Sequence, residues 1–102
     1  MKNDWQTAVR RGTATSLDGT QIAYDVLGEG KRAVLLANGL GGRLYVWEPL
    51  FQALRSEFKF VTWDYRGLFD SPLHAGGQLA LHRHAEDALA ILEAEKIDRA
   101  VL

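Results

Sequence analysis

Residues 37–42, Ala-Asn-Gly-Leu-Gly-Gly, place three glycines directly behind an apolar run. Glycine lets a main chain approach a ligand closely and turn its amides outward. Three uses fit this stretch. The first is a dinucleotide fingerprint, onto which Gly39, Gly41 and the later Asp64 can be laid, although the third glycine of G-x-G-x-x-G would fall at Leu44. The second is an oxyanion loop, in which backbone N–H groups meet the negative oxygen of a tetrahedral intermediate. Its natural donor is the N–H of Leu40, with Gly39 and Gly41 making the turn possible. The third is a tight strand-to-helix turn that binds nothing, and local sequence alone favours it.

The other reactive side chains do not form a catalytic set. Ser71 stands beside Pro72 in a loop, and Ser16 and Ser56 have no strand-to-helix elbow. His82 and His84 lie two residues apart, which on a helix turns them about 200° from each other. They cannot share a metal ion as i, i+4 ligands do, so they and His74 are expected to be solvated or to flank the helix. Asp64 and Arg66 are expected to pair or to brace a loop, and Asp87 to be a solvated or capping helix residue. Trp47 and Trp63 are expected to pack in a core. No metal or organic cofactor is expected.

These residues need elements to position them. Gly12 to Leu27 reads as a β-hairpin about Asp18-Gly19, with Ile22, Tyr24 and Val26 on one apolar face and Gln21, Ala23 and Asp25 on a mixed one. Ala33–Ala37 is a continuous apolar run, the mark of a strand covered on both faces. From Leu44 to Phe58 the spacing of Trp47, Leu50, Phe51 and Leu54 predicts a helix. Residues 58–65 predict a second buried strand. A longer helix follows over 79–96, with Leu81, Ala85, Ala88 and Leu92 on its inward face, and Ile97–Leu102 starts another strand. A hairpin followed by βαβαβ implies an α/β fold with a mostly parallel sheet and helices on its faces. Residues 1–11 read as a polar lead-in, and 12–102 as part of one domain.

Composition narrows the function classes. The 102 residues are 47% hydrophobic and 25% charged, with a net charge of -1, as in an ordinary globular domain. The basic residues are scattered, which argues against nucleic acid as a partner. Cysteine is absent, which excludes disulfides and a thiolate nucleophile. No apolar run is long enough for a membrane span or signal peptide, so a cytoplasmic protein is the default expectation.

Taken together, Asn38-Gly39-Leu40-Gly41 after one strand and Asp64-Tyr65-Arg66-Gly67-Leu68-Phe69-Asp70-Ser71 after the next strongly resemble the first part of an α/β-hydrolase-fold protein. The likeness runs from about residue 12 to the end. The family pattern is His-Gly-x-Gly after the first of these strands and Asp-x-Arg-Gly-x-Gly-x-Ser after the second. Here Asn38 replaces the histidine and Phe69 replaces a glycine. The resemblance implies an esterase-like hydrolase of small acyl substrates and an oxyanion loop formed by Asn38, Gly39, Leu40 and Gly41, and it puts the departing Phe69 near the site mouth, where the side chain either lines an acyl pocket or simply packs. It also implies a sheet in spatial order 1-2-4-3-5. The nucleophile elbow, G-x-S-x-G, would follow the strand that Ala100-Val101-Leu102 opens. These 102 residues are therefore expected to hold half of an oxyanion hole, no triad and no activity of their own. An incompletely covered strand should leave a sheet edge open to self-association.

Overall fold

Runs rich in branched and aromatic residues become strands, and two runs with helical spacing become helices. The computed structural model describes residues 8–28, 30–38, 47–73 and 76–102. Its elements are β1 (Arg10–Thr15), β2 (Gln21–Leu27), β3 (Arg32–Leu36), α1 (Glu48–Leu54), β4 (Phe58–Trp63), α2 (Leu81–Ala94) and β5 (Ala100–Val101). The strands form one sheet in the order β1-β2-β4-β3-β5, as the resemblance implied. β3 runs parallel to β4, with Val34 opposite Phe60, and parallel to β5, with Ala33 opposite Ala100. β1 opens at Arg10, inside the expected lead-in, of which residues 1–7 lie outside the described residues.

The chain divides into two compact units. The first comprises residues 1–11, 25–63 and 99–102. Its core is Leu27, Leu36, Phe51 and Phe60, with Trp47, Leu50 and Leu54 packed against it. The Phe51 and Phe60 rings meet at 5.2 Å between centroids, tilted by 53°. The predicted stripe of α1 is thus the one that packs, and Pro49 in the first turn suits a helix start. The helix stops at Leu54, short of the expected Phe58. Glu57 N–H closes a turn on Leu54 O, and Phe58 is already in register with Arg32 in the sheet. At Gly28, φ is +113° and a Cβ would lie 2.2 Å from Phe58 O, so only glycine fits this crossing. Asp25 was expected on a mixed face but is buried, its carboxylate accepting from Arg11 Nη1 at 2.8 Å.

The second unit comprises residues 12–24 and 64–98. Here the expected inward face of α2 needs correction. Leu81 is 85% exposed and Ala85 is exposed, whereas Asp87 and Ile91 are completely buried. The true stripe runs through His84, Asp87, Ala88 and Ile91, at the same helical spacing but about a charged residue. Tyr24 Oη donates to Glu95 Oε2 near the helix end.

Candidate active site

In open α/β sheets the loops that leave the C-terminal ends of parallel strands carry the chemistry. β3 and β4 are such a pair, and both recognised motifs follow their C-terminal ends. Thr62 Oγ1 donates to Leu36 O at 3.0 Å and ties the two strand ends together.

Asn38, two residues beyond β3, is buried. Its Oδ1 accepts from Trp47 Nε1 at 2.5 Å, and its Nδ2 faces Trp63 O at 3.5 Å, a long contact beside the short one. The side chain therefore ties Asn38, the residue before Gly39, to the N-cap residue of α1 and to the last residue of β4. Trp47 packs on the core, as expected, and also supplies a donor. Gly39, Leu40 and Gly41 lie outside the described residues.

The loop after β4 is described from Asp64 to Leu73. Leu68 N–H bonds to Tyr65 O and Ser71 N–H to Leu68 O, both at 2.9 Å, so two turns follow one another. Gly67 occupies the third position of the first turn at φ +84°, a value that favours glycine. Gly67 N–H reaches Ser71 O at 2.7 Å, and Asp64 Oδ2 accepts from Asp70 N–H at 3.1 Å. That engagement gives buried Asp64 a loop-bracing role, and a ribose-binding role has no support. Ser71 is fully buried, and its Oγ accepts from Ala23 N–H at 2.9 Å. It is a scaffold hydroxyl.

Beneath this loop Arg66 is buried with every donor engaged. Nε and Nη2 donate to the two oxygens of Asp87 at 2.8 and 2.6 Å. Nη1 and Nη2 donate to Asp18 at 2.8 and 3.2 Å, and Nη1 also donates to Gln78 O at 2.8 Å. Such a fork on a carboxylate is the strong form of the ion pair. Hydrogen bonding to Arg66 holds the Asp18 carboxyl well below its usual range, and the two aspartates raise Arg66 above its own. Arg83 Nε, 3.9 Å from Asp18, brings a second cation. Asp64 is not among these partners. Asp87, expected to be solvated, is the deepest acid of the unit. Sequence patterning misses it because its partner lies 21 residues away, and only the buried arginine of the loop motif could have pointed to it.

The remaining candidates are peripheral. His84 stands edge-on to Tyr65 at 5.6 Å, and burial raises the Tyr65 hydroxyl above its usual range. Among the described residues no group of acidic and histidine side chains is placed to hold a metal. No described helix is long and apolar enough to cross a membrane. Phe69 is 48% exposed with φ +49°, a left-handed backbone where the family has glycine.

Relatives place this arrangement. No protein-family model matches the chain. RutD of Caulobacter vibrioides (strain NA1000 / CB15N), named as a carbamate hydrolase, is 34% identical over 89 residues, which are 84% of this chain and 32% of RutD. The 3-oxoadipate enol-lactonase 1 of Acinetobacter baylyi is 32% identical over 87 residues, again 84% of this chain and 32% of the relative. The crystal structure of an alpha/beta hydrolase from Sphaerobacter thermophilus matches at 34% identity with a TM-score of 0.66, over 81% of this chain and 31% of its own. The chain belongs to the α/β-hydrolase fold family. It spans about a third of the length of these relatives. Within the α/β-hydrolase fold, the loops after β3 and β4 are the two that its sequence motifs mark.

Proposed function

We propose that the protein carrying this segment hydrolyses small acyl esters in the manner of a carboxylesterase. The N–H of Leu40 supplies half of an oxyanion hole, Gly39 and Gly41 give that loop its turn, and Asn38 anchors its base. Phe69 lines the acyl side of the substrate. The observation that supports the reading most is the Asn38 clasp. A buried amide held by Trp47 and Trp63 fixes the start of the glycine loop at the C-terminal end of a parallel strand. Backbone N–H donors of an oxyanion hole act on charge that develops only in the transition state. The names of the relatives, a carbamate hydrolase and an enol-lactonase, also point to substrates that carry a carbonyl group.

No G-x-S-x-G occurs in the 102 residues, so the segment alone should give no acyl-enzyme burst with p-nitrophenyl acetate. The test uses the polypeptide encoded by the complete reading frame, assayed on a series of p-nitrophenyl esters beside a lactone and a carbamate. Ester turnover with fluorophosphonate labelling of a serine is the expected result. In that enzyme Leu40→Pro, which removes one N–H, should lower kcat by about 10²–10³ with little change in KM. Turnover of none of the esters would end the carboxylesterase reading.

A further inference from the structure

The Arg66 network lies under a loop that carries backbone strain. Phe69 occupies a left-handed φ of +49° that non-glycine residues avoid. Its ring is half exposed, so burial of the side chain alone does not account for the conformation. Strained backbone persists where its surroundings over-determine it, and such places cluster at functional sites. Phe69 sits in the second of the two turns, Leu68–Ser71, and Arg66 in the first, Tyr65–Leu68. The bond from Gly67 N–H to Ser71 O joins one turn to the other.

The anchor of this pair of turns is not in the loop. Arg66 places its five N–H donors on Asp87, Asp18 and Gln78 O, and a planar fork so held has no alternative position. The side chains of Arg66 and Asp87 are both fully buried, whereas Asp18 is partly open to solvent. Asp87 stands on α2, whose Ile91 is also completely buried and whose C-cap residue Glu95 accepts a hydrogen bond from Tyr24. We infer that Asp87 is a positioning residue: acting through Arg66, it holds the 64–71 loop so that Phe69 keeps its left-handed conformation. This rests on the proposed function, in which Phe69 meets the acyl chain.

The experiment is NMR on the polypeptide encoded by the complete reading frame and needs no activity. Asp87→Asn keeps the shape and removes the charge. Phe69 in the parent chain should show the strong intraresidue HN–Hα NOE of a positive φ, and the variant should lose it. The Ala23 amide, which donates to Ser71 Oγ, should exchange at least about tenfold faster, while Leu35 and Val61 in the sheet keep their protection. Asp87→Glu, which retains the charge, should recover part of both signals. A folded Asp87→Asn chain that keeps the NOE and the Ala23 protection overturns the inference. If Asp87→Asn does not fold, it is combined with Phe69→Gly, because glycine adopts positive φ without strain. Recovery of the fold supports the inference, and a double variant that stays unfolded overturns it. Loss of the NOE together with failure of the complete enzyme to turn over esters would refute the proposed function alone.

Discussion

At the scale of single residues, the buried acid–base group of the second unit governs stability more than any exposed charge. Removing the guanidinium in Arg66→Ala leaves Asp87 buried without its cation, and the cost should be about 3–5 kcal/mol in urea unfolding. Acidification should act on the same group. Arg66 holds the Asp18 carboxyl below the ordinary carboxylate value of about 4, so its contribution is complete above that value. It is then lost as pH falls below about 4 toward the folded-state value. Unfolding midpoints measured at neutral and acid pH should show this decline, and Asp18→Asn should flatten it. Asn38 could be singled out in the sequence as the first residue of the glycine-loop motif. The burial of Asp87 was not legible, since a carboxylate is assigned to solvent unless a buried partner is known, and here that partner arrives only through the fold.

At the scale of elements, α1 shows how much a seven-residue helix depends on packing. Helices this short are marginal in water, so the aromatic stripe must supply the stability. Phe51, completely buried against Phe60, is its centre, and Phe51→Ala should cost about 3–5 kcal/mol by denaturant unfolding. A domain of this size commands about 5–15 kcal/mol, so this one substitution would remove about a fifth of the total or more. The α1 stripe was readable because it is wholly apolar. The α2 stripe was misread because alanines and leucines on its outer face imitate a core pattern, while the inner face turns on Asp87. β2 was read correctly as a strand, but the burial of Asp25 on its mixed face was not legible, because the cation beside it, Arg11, is brought there by the fold.

At the scale of the whole molecule, the alternation of strands and helices made a mostly parallel sheet legible, while the order of its strands came from the resemblance that the two loop motifs carry. Substrate was not legible, because the fold hosts many chemistries. Among the described residues β5 is the last strand in the order, Val101 is 59% exposed, and an edge of this kind pairs readily with another strand. Sedimentation of the 102-residue chain should show self-association that grows with concentration and that Val101→Lys weakens. A sharp monomer across the micromolar range, melting in one step, would contradict this. The register of β3 has a further consequence. Its Ala33 meets Lys59 on one side and Ala100 on the other, and the second partner is made much later than the first. At about 5–20 residues per second on the ribosome, the interval is about 2–8 s. During it the apolar β3 is paired along one side only, within reach of neighbouring nascent chains. Synonymous codons between residues 64 and 98 that slow translation should therefore lower the soluble yield while leaving every amino acid unchanged.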